Sequence, residues 1–346
     1  MSAGLVIAVD AMSGDHGAEV AVPAALDVLA ATPDLKLLLV GRGDVLRPLL
    51  GPAVPDRCAI VEASEIVAMD ERPQDALRRK KNSSMRVAIN LVERGEAAAC
   101  VSAGNTGALL ATARFVLGMI PGIDRPAIVS AVPAVHGHTV MLDLGANPDC
   151  TADNLVQFAV MGSVIASDLH DTPQPRVGLL NVGEEDIKGT DEIREAHRRL
   201  AAAPINYAGF VEGDKIFSGE VDVVVTDGFT GNVALKSMEG LARFIGGAMR
   251  EEFTRNALRK VSALAATPAL NALRLRLDPG AHNGASMVGL AGVVIKSHGG
   301  ANRAAFANAV RVAIAEARKG VPAQIEELMA RVAAAGEPPQ SSTPSG

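Results

Sequence analysis

Short apolar runs recur along the chain, each ending in glycines and small polar residues, with helix-spaced segments between them. Leu5–Val9, Lys36–Val40, Cys58–Val61, Ala97–Val101, Arg176–Leu180, Val221–Val225 and Gly292–Lys296 are too short for buried helices and rich in branched side chains, so they read as strands. Ile128–Pro133 and Thr139–Asp143 read as a strand pair around His136-Gly137-His138, and Asn206–Gly209 and Phe210–Ile216 as two short strands. Helical spacing marks Glu19–Ala31, Met85–Arg94, Thr190–Ala203, Arg303–Arg318 and Val321–Ala335, with further helices starting near Thr151 and Val233. This alternation predicts one α/β domain over residues 1–335, with a helical hairpin excursion at 241–280 and a disordered tail at 336–346.

The most informative stretch is Val221–Gly240, where a β-branched run gives way to Thr226-Asp227-Gly228-Phe229-Thr230-Gly231-Asn232 and then to a helical pattern. A buried strand that opens a helix through such residues aims free N–H groups at one point, and the helix dipole favours an anion there. The same design follows Val101 (Ser102-Ala103-Gly104-Asn105-Thr106-Gly107), Leu144 (Gly145-Ala146-Asn147) and Leu180 (Asn181 to Gly189). Converging turns of this kind predict an active site for an anionic substrate.

Composition narrows the partners. The formal net charge is −6 and aromatics are 3% of the chain, which argues against nucleic acid as a ligand. Cys58, Cys100 and Cys150 lie far apart, as expected of a reducing, cytoplasmic setting. The start, MSAGLVIAVD, reads as a strand rather than a signal peptide, and no apolar run approaches the roughly 20 residues of a membrane span.

Several groups carry two readings. The basic run Asp70–Arg86 fits a solvated helix or a dock for phosphate or an acidic protein. Lys188, among carboxylates, fits an ion pair or a phosphate clamp. Lys296 and His298 flank another strand end, where they fit charge and proton transfer, or His298 simply bonds the start of the next helix. Gly41 and Gly43 do not complete a dinucleotide fingerprint, because Leu46 stands where its last glycine belongs. His136 and His138 lack a third ligand at a suggestive spacing, so no metal is expected, and Cys150 has no local histidine to activate it. Gly240–Gly280 carries seven basic and three acidic residues on an amphipathic pattern, fitting a dimer arm, a partner dock or a membrane-surface anchor.

AVDAMSGDHGAEVAV, SAGNTGALLA, LDLGANPDC, GLLNVGEEDIKG, GFVEGDKIF, DVVVTDGFTGNVALKSMEG and NGASMVGLAGVVIKSHGGA together resemble the bacterial phosphate acyltransferases of phospholipid synthesis. The resemblance runs in consistent order from Leu5 to Ala335; it departs at Ser13, where glycine is expected, and at the HGH turn. It implies a Rossmann-like three-layer αβα sandwich akin to phosphotransacetylases and isopropylmalate dehydrogenases, a homodimer, and no cofactor. It implies acyl transfer from acyl carrier protein to inorganic phosphate, with the acyl phosphate passing to a glycerol-3-phosphate acyltransferase of the membrane. It also favours a membrane or partner role for 241–280, hence a cytoplasmic, peripherally membrane-associated protein. Alternatives are a phosphotransacetylase-like enzyme using acyl-coenzyme A and a non-catalytic membrane scaffold for lipid enzymes. The expected site places phosphate near Ser102, Gly104, Asn105 and Thr106, with Asn147 and Lys296 contributing, Lys188 and Asn232 closing over it, and Asp227 or His298 orienting a group or moving a proton.

Overall fold

The computed structural model describes residues 4–51, 55–169, 171–277 and 283–336. Its first half runs β1 (Leu5–Asp10), α1 (Ala18–Ala31), β2 (Leu35–Gly41), α2 (Gly43–Leu50), β3 (Cys58–Glu62), α3 (Pro73–Arg79), α4 (Ser84–Glu93), β4 (Ala99–Ser102), α5 (Thr106–Leu117), β5 (Ala127–Pro133), β6 (His138–Leu142) and α6 (Ala152–Leu169). Then follow β7 (Val177–Leu180), α7 (Asp191–Ala202), β8 (Tyr207–Val211), a 3₁₀ turn at Gly213–Phe217, β9 (Val223–Val225), α8 (Gly228–Thr254), α9 (Ala257–Leu277), β10 (Ala285–Val288), β11 (Val293–Lys296), α10 (Arg303–Lys319) and α11 (Val321–Gly336).

Among the described residues all strands join one 11-stranded sheet in the order β3-β2-β1-β4-β11-β10-β5-β6-β9-β7-β8. Pairing is parallel from β3 to β11 and again from β6 to β8, whereas β10 is antiparallel to both neighbours and β5 is antiparallel to β6. The two parallel blocks therefore run in opposite senses. Helices cover both faces, as parallel strands buried on two sides require. Around β1, β2, β4 and β11, one face packs on α1 and α10 through Val22, Leu29, Phe306 and Val310, and the other on α4 and α5 through Met85, Ile89 and Leu109. In the second block, Phe158, Val160, Leu200 and Ile325 bury one face of β6, β7 and β9, while Ile216, Val224 and the first turns of α8 close the other.

Several local expectations change. The two strands expected at Asn206–Ile216 are one strand followed by the 3₁₀ turn. Helix α9 runs without a break through Thr267-Pro268, where Thr267 Oγ1 donates back to the Ala263 carbonyl at 2.9 Å. Residues 278–280 of the expected hairpin, and the tail after Gly336, lie outside the described residues.

Candidate active site at the strand ends

Of the expected turns, those after β4, β6 and β9 fall into two clusters, and the one after β7 joins neither. The first joins the C-terminal ends of β1, β4 and β11. Asp10, fully buried, accepts the Ser102 hydroxyl at 2.6 Å, and Ser102 Oγ in turn accepts the Gly104 N–H at 3.1 Å. Asp15 N–H bonds the Gly299 carbonyl at 2.9 Å, and Gly14 lies against Ala103. Lys296, 8% exposed, points its ammonium at the carbonyls of Ala103 and Ser297. Burial pulls its pKa down to about 8, with Lys236 adding to the effect and the carboxylates of Asp15 and Asp10 opposing it.

Thr106 opens α5 at this cluster, and Thr106 and Gly107 are both exposed, so the first turn of the helix presents backbone N–H groups to solvent. Asn105 is its cap: Oδ1 accepts the Ala108 N–H at 2.9 Å. The other end of the same amide donates to the carbonyls of Met69 at 2.6 Å and Glu71 at 3.3 Å. Asn105 thus holds the first turn of α5 in place with a side chain already engaged within the protein. His298 is exposed; its Nδ1 accepts the Gly300 N–H at 3.1 Å, which leaves Nε2 to carry the proton of the neutral ring. Ser13 is buried here beside Gly104, with no partner for its hydroxyl.

The second cluster joins β6 to the start of α8. Asp143 is buried and accepts N–H groups from Ile128 (3.0 Å), Gly145 (3.2 Å), Ala146 (3.0 Å) and Asn147 (2.7 Å), and the Asn147 side-chain amide at 3.0 Å. Asn147 also donates to the Pro126 carbonyl at 2.7 Å and is itself buried, so it locks this turn. Helix α8 starts at Gly228, earlier than the expected Val233, because Asp227 is its cap: one carboxylate oxygen accepts the Thr230 N–H at 2.8 Å and the other its hydroxyl at 2.7 Å. Gly228 and Gly231 are required by contact. A Cβ on Gly231 would meet the Asp143 carbonyl oxygen at 2.0 Å, and one on Gly228 the Asn147 backbone within 3 Å. Asn232, one turn on, is exposed and lies against Gly145.

Lys236, a turn beyond Asn232 on the same face of α8, pairs with Glu239 at 3.0 Å, and its charge lowers the Lys296 pKa further. Lys188 belongs to neither cluster. It is exposed in the turn after β7, with its side chain folded over Gly183. Sequence reasoning missed Asp10 as the partner of Ser102, and it missed Lys236. The strand-end position of Asp10 was the available signal; for Lys236 it was the i, i+4 spacing from Asn232.

A profile of the fatty acid synthesis protein family matches residues 5–324. The chain is 55% identical over 342 residues to a phosphate acyltransferase of Alkalilimnicola ehrlichii, covering 98% of this chain and 100% of that one. It is 56% identical over 332 residues to a phosphate acyltransferase of Methylococcus capsulatus, covering 95% and 98%. Among solved structures, a phosphotransacetylase from Streptococcus pyogenes superposes with a TM-score of 0.64 at 18% identity, covering 92% of this chain and 95% of the other, a likeness of fold. With near full-length identity above half and a profile match over most of its length, the chain belongs to the phosphate acyltransferase family of fatty acid synthesis proteins.

Proposed function

We propose that the protein transfers a fatty acyl group from acyl carrier protein to inorganic phosphate, releasing acyl phosphate for phospholipid synthesis. The observation that carries this reading is the pairing of the open first turn of α5 with the buried Lys296 ammonium, a site built for a small multivalent anion. Family membership supplies the acyl chemistry.

A phosphate oxygen attacks the thioester carbonyl carbon, forming the new C–O bond while the carbonyl π pair moves to oxygen. The tetrahedral oxyanion collapses, the C–S bond breaks, and the thiolate takes up the proton that phosphate gives up. Phosphate is nucleophilic without a covalent enzyme intermediate, so the residues need only hold it, orient it and stabilise the oxyanion. In this assignment the N–H groups of Thr106 and Gly107, with Lys296, hold phosphate, and Ser102 and Gly104 shape the turn. Asn105 positions α5, and Asn147 and Asp227 position the opposite turn. Asn232 and Lys236 approach from that side, Lys188 would have to swing in from the turn after β7 to close over the phosphate, and His298 Nε2–H reaches the oxyanion or the leaving sulfur.

Helices α8 and α9 expose Leu241, Phe244, Leu258, Val261 and Leu264 together with Arg250, Arg255 and Lys260. No helix among the described residues is long and apolar enough to cross a membrane. We assign the hairpin to homodimer assembly and to surface contact with anionic lipid, from a cytoplasmic protein that delivers acyl phosphate to a membrane glycerol-3-phosphate acyltransferase.

The test is thiol release from long-chain acyl carrier protein with and without inorganic phosphate, the product being trapped by hydroxylamine as a hydroxamate. Phosphate-dependent release is expected. Release from acyl-coenzyme A alone would replace the donor, and none from either would end the enzymatic reading.

A further inference from the structure

We propose that Ile66 and Met69 form the acyl-chain subsite, with Met69 at the reacting end; this rests on the acyl-transfer reading above. The segment between β3 and α3 is drawn across both halves of the first cluster. Asn105 Nδ2 holds the Met69 carbonyl at 2.6 Å, and Pro73 Cγ lies 3.0 Å from where a Cβ on Gly107 would stand. The Met69 methyl lies 2.9 Å from the same position on Gly299. Met69 therefore sits where the end of β11 meets the first turn of α5, the point at which phosphate must meet the thioester carbon.

The backbone of this segment is fixed at several points. Lys80 Nζ donates to the Ile66 carbonyl at 2.8 Å, Asn82 N–H to Glu65 Oε2 at 2.9 Å, and Ala68 N–H to Glu71 Oε2 at 3.1 Å. Val67 is buried in the core beside Ala76 and Met85. Against that fixed backbone, Met69 is left 43% and Ile66 36% exposed. An acyl carbon placed at the α5 turn sends its first methylenes past Met69, whose unbranched, polarisable side chain adapts to a chain of any length. Ile66, further along the segment, meets carbons that only a longer chain possesses. Phe229 and Val233, also exposed, lie on the first turns of α8 on the side of the second cluster.

Steady-state kinetics of the full chain with octanoyl and hexadecanoyl carrier protein test the assignment. M69Q, close in size, is expected to lower kcat/KM about tenfold for both donors, with recovery in M69L. I66Q is expected to lower it about fivefold for hexadecanoyl and less than twofold for octanoyl, as each methylene removed from water is worth roughly fourfold. The KM for phosphate stays within twofold throughout. Equal losses with both donors in I66Q, no loss in either variant, or a parallel rise in phosphate KM overturns the proposal. Titration of a fluorescent long-chain fatty acid reads the subsite without turnover. An inactive wild type would sink the catalytic reading and leave this measurement standing, and unchanged fatty-acid affinity in both variants would dismiss the subsite.

Discussion

Ser102 donates its hydroxyl proton to Asp10 across 2.6 Å, joining the ends of two neighbouring parallel strands. Because the proton goes to the carboxylate, the lone pairs of Ser102 Oγ are free to accept Gly104 N–H, and that fixes the turn leading into α5. Asp10→Asn replaces the acceptor with an amide that can also donate, and disturbs this order. It is expected to lower phosphate-dependent thiol release at least tenfold while a cooperative thermal transition persists. Wild-type turnover in this variant would mean that the bond does not shape the turn.

Lys296 yields a pH dependence. Its ammonium is present below about 8 and is lost as pH rises through that value, because burial disfavours the charged form. Since kcat/KM reports the free enzyme, kcat/KM for phosphate should fall above about pH 8. Lys296→Arg, whose guanidinium stays charged, should flatten the profile, and Lys296→Met should remove most activity at every pH. A profile for Lys296→Arg that still falls near 8 would assign the titration to another group.

A second titration concerns stability alone. Glu316, buried on α10, accepts a hydrogen bond from Ser286 on β10, and burial pushes its pKa up to about 7. A raised folded-state pKa means that the folded form holds the proton more tightly than the unfolded chain. The stabilisation is complete below the ordinary carboxylate range and is lost as pH rises through about 7. The span corresponds to about 3 kcal/mol. Glu316→Gln should therefore melt a few degrees higher than wild type at pH 8 and no higher at pH 4.5. Identical melting curves at both values would remove this carboxyl from the stability balance.

The hairpin can be separated from the chemistry. Leu258 and Leu264 are 77% and 75% exposed. Replacing both with aspartate should abolish flotation with anionic vesicles while turnover on a water-soluble donor stays within about threefold. Retained flotation would move the lipid contact elsewhere.

Much of this was legible in the sequence, and the exceptions have physical causes. Strands such as Leu5–Asp10 and Val223–Val225 announce themselves through short apolar runs rich in branched side chains. Ala285–Val288 does not, because four residues without a distinctive pattern become a strand only by pairing with β5 and β11. The start of α8 looked like a loop because Gly228 and Gly231 are poor helix formers; they are there because Asp143 and Asn147 press against them, which only the tertiary structure reveals. Asn105 was recognisable as important, yet its role as a cap and a clasp on Met69 depends on a residue 36 positions away. Lys236 stayed hidden because its significance is a charge felt across the two strand-end clusters.

The place of β11 has a consequence for synthesis. Strand β4 pairs with β1 on one side and on the other with β11, which leaves the ribosome roughly two hundred residues later. Until then the nascent amino-terminal half carries an open, apolar strand edge in the middle of its future sheet, a template for pairing with other chains. Loss of residues 278–346 would not trim a peripheral piece: it would remove β10 and β11, which stand between β4 and β5 in the middle of the sheet. A strand pair made late is the keystone.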